Sequence, residues 1–399
     1  MFPTPELSTQ SVFITEQMKA LRKLGIEMNA IAPTPWAPPM LNFLPNIRKY
    51  RCMPKAATVD GIRVRYPRYI AFPRGRFCTG YFCYLACRHV IKKQLQESGI
   101  DLIHAHTIMP DGFAALLLGD ELNIPVVCTV HGSDISIYPH ENRLTLLATR
   151  WALRRTKHLI AVSEDLRKKV ELLIGSSEVK VIRNGADEEV FRANAKSAAR
   201  TFLCLPDKAK IVLFIGNLLP VKGLSYLLQA VSHISFSDFL LYLVGDGTLR
   251  DKLRAQAEQL GISARCVFVG ARPHEEIASW LSAVDCLVLS SISEGFPTII
   301  AEAMMCRVPV VATAVGGIPE IVKHRSTGLL VQPRDPASLS QAICFALQDN
   351  ADIQIMVDRA EDAARAELTW EANARKTVEV YREALALRPQ VQRNDNTRS

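Results

Sequence analysis

The chain has 399 residues, 48% hydrophobic and 22% charged, with a net charge of +8. That length suits two domains rather than a single core, and the composition excludes extended disorder. No apolar run approaches the roughly 20 residues of a membrane helix, and the N-terminus has no signal core, so a cytoplasmic protein is expected.

Met1-Phe2-Pro3-Thr4-Pro5 reads as the loop that follows a buried strand. The strand that normally opens a doubly wound domain is therefore expected to be missing, through a truncated start or a smaller sheet. Apolar, β-branched runs at 27–32, 62–66, 102–105, 126–130, 158–162 and 179–182 read as strands, with helical periodicity at 81–96, 112–121 and 144–155. Residues 1–190 are expected to form a first α/β domain, and the polar, Ala-rich stretch 191–210 a linker. A second series of strands at 211–215, 239–244, 266–269, 286–289, 308–312 and 328–331 predicts a second domain over 211–368. Residues 369–388 read as a helix and 389–399 as a loose tail.

The excess positive charge falls entirely within residues 1–195 and is densest between Arg48 and Lys93, where Asp60 is the only acid. Tyr66, Tyr69, Phe72, Phe77, Tyr81, Phe82 and Tyr84 are interleaved there. Two readings stand open: a solvated face covered by long basic stems, or a docking surface for an anionic membrane or a phosphate-bearing acceptor. No nucleic-acid module accompanies these residues, and nucleic acid is not expected as a partner. The 10 cysteines form no C-x-x-C pair and read as reduced thiols packed as small hydrophobes.

Ligands of open parallel sheets bind beyond the C-terminal strand ends, where loops meet helix N-termini. Gly216-Asn217-Leu218-Leu219-Pro220-Val221-Lys222-Gly223 follows the first strand of the second domain and could seat a diphosphate on helix amides and the Lys222 charge, or be an ordinary turn. Gly245-Asp246-Gly247 is a second tight turn, with a purely conformational reading beside the binding one. The richest loop contains Glu294, Gly295, Phe296, Pro297, Thr298 and Glu302. On one unbroken helix the two glutamates would stand roughly 12 Å apart. Pro297 suits the first helical position, which leaves Glu294 in the loop and Glu302 inside the helix, able to grip successive parts of an extended ligand. His104, His106 and His131 could share one face as a metal site, but buried polar positioning accounts for them equally well, and no metal is expected.

These segments, with Leu102-Ile103-His104-Ala105-His106, Thr129-Val130-His131-Gly132, Ala161-Val162-Ser163, Arg183-Asn184-Gly185-Ala186-Asp187 and Ala314-Val315-Gly316-Gly317-Ile318-Pro319-Glu320, resemble the family-4 retaining glycosyltransferases, also called group 1 glycosyl transferases. The resemblance implies the GT-B fold: two tandem Rossmann-like domains around a cleft, acceptor on the first, nucleotide sugar on the second, and a final helix crossing back to the first. It implies transfer of a hexose from a UDP- or GDP-linked donor to a glycan or lipid-linked acceptor, with retention and without a metal or other cofactor. Glu302 matches the position that binds the ribose hydroxyls, Glu294 the one contacting the transferred sugar, and Lys222 the lysine at the diphosphate. His131 matches a histidine facing the sugar from the first domain. Two departures are visible: Asn217 stands where many members have arginine, and Gln10-Ser11 where many have a glycine loop. A phosphorylase or epimerase of the same fold, or a silent nucleotide-sugar-binding protein, are the alternatives.

Overall fold

The computed structural model describes residues 12–36, 53–71, 75–175, 178–234, 239–348 and 350–387. The expected gap at the opening strand, the Gln10-Ser11 loop, part of the basic stretch (Arg48, Lys49, Arg51, Phe72 and Arg74) and the tail 389–399 lie outside the described residues.

The first lobe begins with the helix Val12–Lys23, followed by short strands β1 (Ala30–Ile31), β2 (Thr34–Pro35), β3 (Ala56–Val59), β4 (Ile62–Arg65) and β5 (Arg68–Tyr69). β3 and β4 form an antiparallel hairpin, and β1 lies parallel to β4. Sequence reading found β4 without its partner. The missed signal was Asp60-Gly61, whose φ values of 49° and 74° make the two-residue turn that matches strand twist.

A separate parallel sheet runs in the order β6 (Ile103–His106), β7 (Val126–Val130), β8 (His158–Ala161) and β9 (Val179–Val181). The helices Arg76–Ser98, Phe113–Leu122, Arg143–Arg155 and Glu164–Ile174 connect or flank its strands. Two of these helices start on side-chain caps: Asn142 accepts from the Thr145 amide and Ser163 from the Leu166 amide.

The second lobe holds a six-stranded parallel sheet in the order β12-β11-β10-β13-β14-β15. Its strands are β10 (Lys210–Ile215), β11 (Phe239–Val244), β12 (Cys266–Gly270), β13 (Cys286–Leu289), β14 (Val310–Thr313) and β15 (Leu329–Val331). Every residue of β13 and β14 is buried. Helices cover both faces, which is why these strands read as continuous apolar runs rather than as alternation. Within 191–210, the helix Lys196–Phe202 packs on the helix His274–Ala283, and buried Arg200 donates to the Ala283 carbonyl and to Asp285.

The last helix, Trp370–Ala386, is capped by Thr369 and lies against the first lobe. Val380 and Ala384 pack with Val127, Ile160 and Ile182, while Trp370 and Ala374 pack with Ala20 and Leu21. Gln17 donates to Asn373 Oδ1 at 2.7 Å within that interface.

Candidate active site

Strand order explains why distant sequence segments converge. β10 and β13 are neighbours, paired at Val212–Cys286 and Leu213–Leu287, with β11 and β12 to one side and β14 and β15 to the other. The direction of winding reverses between them, and open sheets of this kind bind ligands beyond the C-terminal strand ends at such a reversal. The loop after β10 carries Lys222, and the loop after β13 carries Glu294.

The two loops are tied by backbone. Ile292 donates its amide to the Val221 carbonyl at 2.8 Å, and Ser290 Oγ donates to the Lys222 carbonyl at 3.0 Å. Gly223 sits at φ +62°, and a Cβ there would lie 2.1 Å from the Ser290 carbonyl oxygen, so only glycine lets the loops close together. Across this junction Lys222 Nζ meets Glu294 Oε1 at 2.7 Å, with 23% and 10% of the side chains exposed. Ser291 Oγ reaches the same oxygen at 2.5 Å. Ser291 was not among the expected residues; nothing in its local sequence marks it as a partner of Glu294.

Pro297 is the N-cap of the helix Thr298–Met305 rather than its first residue, because its ψ of 107° is extended. Thr298 takes the first helical position that the sequence reading had assigned to Pro297. Glu302 still falls in the second turn, but it is buried at 6% exposure rather than a surface charge. Its neighbour is His274 Nε2, 3.8 Å away. Burial pulls the His274 pKa down, but the Glu302 carboxylate outweighs it and leaves the imidazole above its ordinary value. His274 is a second residue that sequence reading missed, since it lies on a different helix.

The glycine turns behave unevenly. Gly216 ends β10 and donates to the Val244 carbonyl at 3.0 Å, while Asn217 is exposed. Gly245 donates to the Gly270 carbonyl. Asp246 Oδ1 accepts from the Gly247 amide at 2.8 Å and Oδ2 from Arg250 at 3.3 Å, contacts that its conformational role requires.

The first lobe reaches the loop after β13 through the end of β7. A Cβ on Gly295 would lie 2.0 Å from the His131 carbonyl oxygen, so the lobes touch backbone to backbone at this point. The His131 ring faces Phe13 at 4.6 Å between centroids and stacks on His106 at 5.3 Å. Buried Asp134 holds the turn by accepting from the amides of Ile108, His131 and Gly132 at 2.9–3.1 Å. Burial of the three imidazoles lowers every one: His106 to about 4, His104 and His131 well below the usual histidine range. Among the described residues no group of three or more His, Cys, Asp and Glu side chains is arranged to hold a metal ion.

A second bridge between the lobes comes from the loop after β14. Glu320 accepts from the amides of Glu164 and Asp165, both at 3.0 Å, at the start of the helix Glu164–Ile174. A carboxylate there satisfies amides that a helix leaves unpaired and sits at the positive end of its dipole.

Two family models match consecutive parts of the chain: Glycosyltransferase Family 4 over residues 10–190 and Glycosyl transferases group 1 over residues 196–366. TuaC of Bacillus subtilis (strain 168), provisionally named a teichuronic acid biosynthesis glycosyltransferase, is 31% identical over 86% of this chain and 86% of its own. The chain belongs to the group 1 glycosyltransferases of family 4. The glycosyltransferase superposes on sucrose-phosphate synthase from Thermosynechococcus elongatus with a TM-score of 0.79, covering 95% of this chain and 94% of the other at 23% identity, a likeness of fold. HepE from Anabaena, solved in complex with UDP and glucose, matches with a TM-score of 0.69 at 25% identity over 80% of this chain and 86% of its own. The fold of the glycosyltransferase is GT-B, and its two lobes meet where Lys222, Glu294 and His131 lie.

Proposed function

We propose that this glycosyltransferase moves a hexose from a UDP- or GDP-linked donor to a glycan or lipid-linked acceptor in cell-surface or exopolysaccharide synthesis, with retention and without a bound metal. The pairing of Lys222 with Glu294 at the reversal point of the second sheet, with Glu302 on the helix that follows the same loop, carries this reading. The complex of HepE with UDP and glucose supports a UDP-linked hexose, and the naming of TuaC supports a polysaccharide acceptor.

In this reading Glu302 receives the ribose hydroxyls and Glu294 the hydroxyls of the transferred sugar, since a carboxylate accepts two such bonds at once. Gly216, Asn217, Gly245, Asp246 and Gly247 line the donor loops, and Gly295, Phe296, Pro297 and Thr298 bring the amides of the following helix to the donor. The bond between the anomeric carbon and the diphosphate breaks as the bond to the acceptor oxygen forms. The acceptor proton passes to the leaving phosphate oxygen on the same face. Negative charge then grows on the diphosphate, where Lys222 and helix amides oppose it; Asn217 adds a hydrogen-bonding group but no charge. His131 faces the sugar from the first lobe, and lobe contact at Gly295 excludes the water that would otherwise hydrolyse the donor.

A panel of UDP- and GDP-sugars, scored for released nucleoside diphosphate with and without acceptor, tests the reading. Release that depends on inorganic phosphate would point to a phosphorylase instead, and donor binding with no release under any condition to a silent binding protein.

A lipid-linked acceptor is favoured by one surface. Phe77, Tyr81 and Leu85 are exposed along the helix Arg76–Ser98 at helical spacing, and Leu144 and Leu147 are exposed on the helix Arg143–Arg155 that packs against it. Several of the neighbouring cations are occupied: Arg76 pairs with Glu141, Arg88 and Lys92 with Glu121, and Arg65 and Lys93 with Glu97. Apolar insertion rather than bulk positive charge therefore leads in the reading of a membrane surface. Among the described residues no helix is long and apolar enough to cross a membrane. Sedimentation with vesicles decides the point: wild-type binding that Tyr81→Ser and Leu85→Ser abolish supports it, and no binding to anionic or neutral vesicles removes it.

A further inference from the structure

Behind His131 lies a row of side chains with no place in the chemistry described so far. β6 and β7 pair in parallel with His106 opposite Thr129, which sets His106 beside the turn that carries His131. His106 Nδ1 lies 3.1 Å from His131 Nε2. The His104 ring lies tilted against His106, 4.4 Å between centroids. Both His104 nitrogens are engaged by hydroxyls, Nδ1 with Tyr381 of the last helix at 2.7 Å and Nε2 with Thr129 at 2.8 Å. Three rings are thus held in a row from the last helix to the cleft. Asp134 fixes the backbone at the cleft end, and Phe13 covers the His131 ring from the other side. Within this packing His131 Nδ1 is buried and has no protein partner.

A neutral imidazole carries one proton on one of two nitrogens, and the bond made by one nitrogen decides the state of the other. Two protonated or two bare nitrogens facing each other at 3.1 Å would repel, so one ring of the pair must donate and the other accept. If His106 Nδ1–H donates, His131 carries its proton on Nδ1; if His131 Nε2–H donates, its Nδ1 is bare.

We propose that His106 is a positioning residue for sugar transfer: by bonding Nε2 of His131 it fixes the plane of that ring at the end of β7 and ties the His131 tautomer to its own, so that the ring is held in one state beside the cleft. The proposal rests on reading His131 as the first-lobe group at the transferred sugar.

Three variants of the full chain separate this role from simple packing. His106→Phe keeps a flat ring for stacking but has no polar atom. His106→Asn places an amide near the position of Nδ1, and His106→Gln places one nearer Nε2. With the best donor of the panel, His106→Phe and His106→Gln are expected to lower kcat by about 10–100-fold with donor KM nearly unchanged, and His106→Asn to recover most of that loss. On protein carrying 15N-histidine, wild-type His131 is expected to show one tautomer by long-range nitrogen–proton correlation, and His106→Phe a mixture. Wild-type turnover in both slow variants, loss without recovery in His106→Asn, or unchanged His131 nitrogen shifts in His106→Phe would overturn the proposal. The nitrogen shifts need no turnover, so a glycosyltransferase inactive with every donor fails the functional reading without deciding this one.

Discussion

Lys222 Nζ donates to Glu294 Oε1 at 2.7 Å across 72 residues of sequence. The lysine that suits a diphosphate is thus held by the carboxylate that suits the sugar, and Ser291 Oγ holds the same oxygen. In the proposed reading a diphosphate arriving at Lys222 competes with Glu294 for the ammonium and turns the carboxylate toward the sugar hydroxyls, so that donor binding and alignment of Glu294 are coupled.

That exchange separates binding from turnover. Lys222→Ala is expected to weaken UDP or GDP binding and to lower kcat by about 10²–10³-fold, as loss of a group opposing transition-state charge does. Glu294→Ala is expected to lower turnover by a similar factor yet bind the free nucleoside diphosphate as tightly as wild type or more so, because nothing competes for Lys222. Calorimetric titration with UDP and GDP, beside steady-state rates, checks both. Weaker nucleotide binding in Glu294→Ala would contradict the exchange.

Two glycines test different things. Gly223→Ala forces a Cβ to within 2.1 Å of the Ser290 carbonyl at a positive φ, inside one lobe, and is expected to destabilise the fold by about 2 kcal/mol or more. Gly295→Ala strains only the contact between lobes, 2.0 Å from the His131 carbonyl, and is expected to leave the unfolding midpoint near wild type while turnover falls at least about tenfold. Thermal unfolding and rates on the same preparations distinguish the two.

Glu320 reaches across the cleft to the amides of Glu164 and Asp165. Glu320→Ala removes that cap, worth about 1 kcal/mol, from the closed arrangement. The expected result is a larger radius of gyration in solution scattering and a lower kcat, with thermal stability almost unchanged. Glu320→Gln, which keeps one acceptor oxygen, should fall between. Scattering curves identical to wild type for both variants would show that the contact does not hold the lobes together.

Stability in acid follows from the histidine row. Burial keeps His106 neutral down to about 4 and lowers His104 and His131 as well, so below about pH 6.5 the unfolded chain binds more protons than the fold. Their contribution is complete above that pH and is lost as pH falls toward 4. Asp111, raised by burial to about 6, and Asp134, also raised by burial, act in the opposite sense, weakening the fold as pH rises from about 4 to 6. His106→Phe removes one acid-sensitive group. Between pH 6.5 and 4.5 it is expected to lose less stability than wild type, by on the order of 1 kcal/mol. Equal losses in thermal unfolding at the two pH values would refute this.

Much of the architecture was written locally. Runs such as 126–130, 239–244 and 286–289 coincide with β7, β11 and β13 because a strand covered on both faces needs apolar residues in sequence, and nothing distant changes that need. Lys222, Glu294 and Glu302 could be singled out because glycine and proline mark where a chain leaves a strand and enters a helix. The same local logic overlooked β3, although Asp60-Gly61 announced its hairpin.

The sequence by itself determined two wound sheets, the loops that carry the charged residues, and the family those loops resemble. Only the tertiary structure decided which residues answer one another: Ser291 and Lys222 to Glu294, His274 to Glu302, His106 to His131, Glu320 to the first lobe. Ser291 and Glu294 meet within one loop; each of the other pairs depends on how strands, helices or the two lobes pack together. Strand order is settled by packing whole sheets and helices together, and no periodicity within a single segment encodes it.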